Sequence, residues 1–327
     1  ATWTAWLHDA QQANSWLAEH GSGPLWLWGM RSGALLATQL ASLLQGAGSE
    51  PAHLLLWQPV ASGQQMLQQF LRLRAASQWL QEHKAVLQLA VPGFENEEFS
   101  DLAYSPATGT LFTVSGKQPL LIELSLAGKV LRSIPVIGAA DLEGVAVLEG
   151  GCMAITSERQ HRLSIFRLDA ATREIGAEQV VQQVDLGHAE DPNKGFEGLA
   201  WDKRHQRLLL GKEKYPVMLY GLPADGCRVT GELQELAGLG GHMTDLAALT
   251  VDPHSGHILA LSQESHLLVE LDKGYRPRNF IALLRGLHGL EHTIPQAEGV
   301  AIDDAGTLYM VSEHNLFYVF RKDSAGR

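Results

Sequence analysis

Residues 3–19 place apolar side chains at 3, 6, 7, 10, 13, 16 and 17, the spacing of one helix face. Gly21 and Pro24 end that pattern. Pro24-Leu-Trp-Leu-Trp28 reads as a buried strand, Arg31–Gln45 as a helix and His53-Leu-Leu-Leu-Trp57 as a second strand, and 63–81 return to helical spacing. Strand, tight glycine turn, helix and strand predict a right-handed βαβ unit with a parallel pair.

From about residue 84 the period shortens to alternating strands separated by Gly, Asp and Pro turns, an all-β texture. A phrase recurs there: Leu-Glu-Gly-Val-Ala-Val at 142–147, Phe-Glu-Gly-Leu-Ala-Trp at 196–201 and Ala-Glu-Gly-Val-Ala-Ile at 297–302. Degenerate copies stand at 99–104, Phe-Ser-Asp-Leu-Ala-Tyr, and 246–251, Leu-Ala-Ala-Leu-Thr-Val, giving intervals of 43, 54, 50 and 51 residues. Recurrence at that period marks repeated supersecondary units. Each copy opens three strands, and a fourth precedes it at 85–91, 129–136, 178–186, 227–236 and 278–284. Four antiparallel strands repeated radially make a β-propeller blade. The expected fold is mainly β, a five-bladed propeller over 83–327 in which strand 85–91 completes the last blade, preceded by a partial α/β segment over 1–82. Closing the ring in this way removes the open sheet edge.

That geometry gives the glutamates a place. In a four-stranded meander the start of strand one and the end of strand two share one end of the sheet. Glu143, Glu197 and Glu298 therefore share a face with Glu158, Glu213, Glu264 and Glu313, which close second strands. Asp141, Asp245 and Glu98 stand two residues before the glutamate position of their blades. One end of the axial channel should be lined by carboxylates. Like charges held close are costly unless compensated. Arg159, Lys212, Lys214 and Lys194 could do so locally, as could a hard cation such as Ca²⁺, which takes six to eight oxygens. With no contiguous calcium loop, the expected metal ligands, Glu143, Glu197, Glu298, Asp141, Asp245 and Glu98, come from several blades.

Charge changes the picture in the same direction. The formal net charge is −11, and residues 1–80 contribute none of it. An acidic propeller argues against nucleic acid and suits cation binding. No apolar run reaches membrane-spanning length, and the start has no basic leader region. Cys152 and Cys227 form no C-x-x-C and are expected as buried small hydrophobes rather than ligands or a bridge. His242, His288 and His292 fall in loops as solvated or hydrogen-bonded residues, and His254 and His257 flank a turn and are expected to be exposed.

The turn Gly29-Met-Arg-Ser-Gly33 has the frame of a nucleophile elbow with Arg31 where the serine should stand. A guanidinium is no acyl nucleophile, Ser32 is one residue off, and no acid and histidine pair with it, so the elbow is expected to be inactive. Residues 1–9, 25–37, 55–63 and 69–74 resemble the exosortase A system-associated hydrolase 2 family, α/β-hydrolase relatives in which arginine at the elbow is typical. The resemblance covers a middle portion of such a domain.

Four motifs resemble the SdiA-regulated, YjiK-like propeller family: Asn193-Lys-Gly-Phe-Glu-Gly-Leu-Ala-Trp-Asp202, Leu261-Ser-Gln-Glu-Ser265, Pro295-Gln-Ala-Glu-Gly-Val-Ala301 and Val311-Ser-Glu-His-Asn-Leu-Phe-Tyr318. His314 stands where that family usually has proline, and Leu246-Ala-Ala248 departs from its usual Leu-Ser-Gly. The resemblance implies a five-bladed propeller with a bound calcium ion, distantly similar to NHL-repeat and phytase-like propellers, and a periplasmic or envelope setting. The hydrolase-like resemblance implies the cytoplasm. Two functions follow: a calcium-binding propeller that recognises a small molecule or protein on its acidic face, or a metal-dependent hydrolase of a phosphoester, ester or lactone. In the second, Glu158, Glu213 or His242 would be the general base.

Overall fold

The computed structural model describes residues 3–21, 23–30, 32–46, 53–57, 78–187 and 195–322. Arg31 of the elbow, Lys194 and residues 63–77 of the predicted helical span 63–81 lie outside the described residues. The chain divides into two compact units, Ala1–Ala75 and Ala76–Arg327.

In the first unit, helix α1 (Trp3–His20) is followed by strand β1 (Trp26–Met30), helix α2 (Ser32–Gly46) and strand β2 (His53–Trp57). β1 and β2 pair in parallel, Trp26 opposite His53. Ala34, Ala37 and Leu40 bury one side of α2, and the strand–helix–strand order follows the sequence reading. β1 is not the buried strand expected: Trp26 and Trp28 are exposed, because among the described residues only α2 covers the two-stranded sheet in this unit.

The second unit opens with a short helix α3 (Gln78–Gln81), whose Leu80 is fully buried in the cluster between blades four and five. Strand β3 (His83–Ala90) follows. Blade one comprises β4 (Phe99–Ser105), β5 (Thr110–Ser115), β6 (Leu120–Leu124) and β7 (Val130–Pro135), and blade two β8 (Leu142–Val147), β9 (Cys152–Ser157), β10 (Arg162–Arg167) and β11 (Val180–Asp185). Blade three holds β12 (Phe196–Asp202), β13 (Arg207–Lys212), β14 (Met218–Pro223) and β15 (Gln234–Gly238), and blade four β16 (Ala248–Val251), β17 (Ile258–Ser262), β18 (Leu267–Leu271) and β19 (Pro277–Ala282). Blade five has β20 (Gln296–Ile302), β21 (Leu308–Glu313) and β22 (Leu316–Lys322), and takes β3 as its fourth strand. β3 pairs antiparallel with β22 from Ala90 opposite Leu316 to His83 opposite Lys322, which is the predicted closure.

The core is radial. Each apolar cluster lies between neighbouring blades, for example Phe112, Val114, Val145 and Ile155 between blades one and two. An inner strand is therefore buried on both faces, which explains its continuous apolar runs. The glycine of the repeated phrase fits close approach near the axis: a Cβ on Gly144 would lie 2.8 Å from the Glu197 carbonyl, and one on Gly299 2.5 Å from the Asp101 backbone.

Three expectations are corrected. Cys152 and Cys227 form a disulfide with Cα atoms 5.5 Å apart. The ring sets the inner hairpin of blade two against the outer hairpin of blade three, a neighbourhood that a separation of 75 residues conceals. The fourth strand of blade three runs over Gln234–Gly238 rather than 227–236, because 224–229 form a turn closed by an Ala224–Val229 bridge. His257 is half-buried rather than exposed, its Nδ1 2.6 Å from Oε1 of buried Glu270. No helix among the described residues is long and apolar enough to cross a membrane.

Candidate functional site: an acidic mouth of the axial channel

Four inner strands carry a register shift at the repeated phrase: Ser100/Ala103, Leu142/Val145, Phe196/Gly198 and Ala297/Gly299. A bulge of this kind drops a residue out of the ladder and re-aims its side chain. Glu143, Glu197 and Glu298 all fall within these shifts.

Glu197 feels the negative charge of Glu213, Glu298, Glu143 and Glu158, and Glu298 that of Glu313, Glu143, Asp245 and Glu213. Burial, opposed by a Ser100 hydrogen bond and reinforced by Glu158, Asp141 and Glu313, pushes the Glu143 carboxyl up to about 8, and burial with the acids around it pushes that of Glu298 up to about 9. It holds Glu197 well above the carboxylate range for the same reasons. Glu158 and Glu313 are also raised, by burial first and then by neighbouring acids. One carboxylate oxygen from each of Asp141, Glu143 and Glu158 falls within 4.8 Å of the others.

Compensation is divided between rim and axis. Around the rim, Lys117 pairs with Glu98 at 2.6 Å, Arg159 with Asp141 at 3.0 Å, and Lys214 bridges Glu213 and, at 2.9 Å, Glu264. Lys212 instead donates to the Tyr215 carbonyl. Among the described residues no ion pair reaches Glu143, Glu197 or Glu298. Glu158 accepts the Gly195 amide at 2.7 Å. Asp245 is fully buried and accepts the Ser262 hydroxyl and the Gln263 and Glu264 amides, at 2.9 and 3.1 Å for the two amides. Its bonds fasten the turn after β17. His242 is exposed in its loop.

Sequence reasoning passed over Asp101. It is fully buried with φ 47°, and its Oδ2 accepts the Val145 amide of blade two at 3.0 Å and the Leu199 amide of blade three at 3.1 Å. Its Oδ1 accepts the Leu102 amide at 2.8 Å, and burial holds the carboxyl well above its ordinary range. One side chain thus ties three blades at the waist of the channel. The signal was an aspartate at the glycine position of the phrase in blade one.

The donor set suits a hard cation. Every candidate ligand atom in the cluster is a carboxylate oxygen, with no imidazole or thiolate.

The family model described as SdiA-regulated matches residues 75–321. The chain belongs to the SdiA-regulated family. The Glu313–His314 peptide is cis. Among solved structures, this SdiA-regulated chain is similar to one in a nidogen/laminin complex, at 17% identity over 65% of this chain and 72% of that chain, with a TM-score of 0.46. It is also similar to a catalytically inactive virginiamycin B lyase from Staphylococcus aureus with quinupristin, at 10% identity over 70% and 68% of the two chains and a TM-score of 0.40. A streptogramin B lyase matches at 12% identity over 70% and 66%, with a TM-score of 0.41. The assignment of five blades rests on the strand pairing itself.

Proposed function

We propose that this SdiA-regulated propeller binds a divalent cation, calcium by the chemistry of its donors, at the acidic mouth of the channel, and uses that face to recognise a ligand or protein. The observation that carries the reading is the division of charge: cations pair with Glu98, Asp141, Glu213 and Glu264, while among the described residues no ion pair reaches the half-buried Glu143, Glu197 and Glu298. Asp141, Glu143 and Glu158 are the central ligands in this reading, Arg159 giving up Asp141 to the ion, with Glu197 and Glu298 completing the charge, Glu98 shaping the rim and Asp245 staying fastened to its turn. A bound Ca²⁺ would supply the positive charge that makes several buried carboxylates stable in their ionised form. The first unit is read as a partial α/β-hydrolase-like segment in which Arg31 has no catalytic role.

Calorimetric titration of chelator-treated full chain tests the cation. Saturable Ca²⁺ binding, weakened at least about tenfold in Glu143→Gln, is the expected outcome, since one buried charge-assisted contact is worth about 1.5–3 kcal/mol. Absence of binding near pH 8 sinks the reading. Chelator-sensitive turnover of phosphoester, aryl ester or lactone substrates would move the function to hydrolysis.

A further inference from the structure

The opposite mouth of the channel has different chemistry. The inner strands end there, and their last residues with the following turns enclose an open cavity of about 500 Å³, within the range of small-molecule sites. All five blades contribute, and the wall is apolar: Tyr104, Val147, Trp201, Leu249, Val251 and Ile302.

Its polar groups are unevenly committed. Asp202 is matched by Arg207 Nε at 3.0 Å and His205 Nδ1 at 2.7 Å, and Asp252 caps its own turn through the His254 amide and the Ser255 hydroxyl. Lys203 leans on Glu149 at 2.9 Å. The exposed Arg204 gives one Nη1 hydrogen bond to the Ser255 carbonyl at 3.1 Å, which leaves donors of its fork for something else. The acids of the far rim, Asp303 and Asp304, lie toward Tyr104, whose phenol they help to raise after burial. An anionic head is therefore directed to the blade-three side.

We propose that this mouth binds a small anionic amphiphile, its aromatic or alkyl body in the cavity and its carboxylate or sulfonate head on Arg204. The site is separate from the cation-binding face, so either can fail alone.

The test is a fluorescence titration of the full chain with 1-anilinonaphthalene-8-sulfonate, with and without Ca²⁺, set against the cationic dye thioflavin T. A saturable sulfonate site is expected, displaced by octanoate. Arg204→Glu, at an exposed turn, should weaken it by about tenfold or more, the loss of one charge-assisted contact plus new repulsion. Thr250→Trp, which fills the cavity, should abolish it. The proposal is overturned if no octanoate-displaceable site exists in the wild type, if thioflavin T is preferred there, or if Arg204→Glu or Thr250→Trp, each verified as folded by circular dichroism, binds the sulfonate as well as the wild type does.

Discussion

At the scale of single residues, the buried acids divide into those that hold the ring and those that strain it. Asp101 holds it. Asp101→Ala would leave the Val145, Leu199 and Leu102 amides without their acceptor, at about 1–3 kcal/mol each. We expect urea unfolding to show a loss of about 3 kcal/mol or more, the largest among single substitutions at the channel. Glu298 strains it, with a carboxyl pushed up to about 9. Glu298→Gln should raise the melting temperature of calcium-free protein above pH 8 and lower calcium affinity, opposite effects that separate a ligand from a structural acid. The phrase itself exposed Glu298, because Glu before Gly recurs in register with a strand start. Asp101 escaped because its partners are amides 44 and 98 residues away, and nothing local distinguishes it from a turn aspartate.

Among elements, the strand pattern was legible wherever both faces of a strand are buried, since apolar runs such as Leu208-Leu-Leu210 leave little choice. Outer strands were less so. They alternate weakly, and the insertion around Cys227 that turns back on Pro223 carries no apolar signal, so the predicted strand began too early. The same insertion delivers Cys227 to Cys152. A bridge closing a loop of 75 residues contributes about 4 kcal/mol by restricting the unfolded chain. Protein made in a reducing cytosol should present two alkylatable thiols and melt lower than oxidised protein. Alkylation mass spectrometry with and without reductant checks this; thiols free under oxidising conditions would contradict the pairing. Disulfides persist in oxidising compartments, so the bridged form is the one expected wherever the protein meets such conditions.

Across the whole molecule, the acidic mouth links stability to pH and metal. Glu143 and Glu298 are raised to about 8 and 9, so the folded protein holds protons that the unfolded chain releases above the ordinary carboxylate range. Their contribution is fully present below the unfolded values near 4.3 and is lost as pH rises through 8 and 9. Calcium-free protein should therefore lose stability between about pH 5 and 9, and saturating Ca²⁺ should flatten that slope and release protons on binding. A steep slope unchanged by Ca²⁺ would argue for acids without a cation. Five blades were readable because the phrase keeps its period; what the period could not show is how far the two mouths differ. Closure by β3 has a consequence in time as well as in space. That strand leaves the ribosome before every blade, yet its partner, β22, is synthesised last. During translation it waits as an open edge, and a nascent chain stalled before Lys322 should remain protease-sensitive along 83–90 even when its central blades are already resistant.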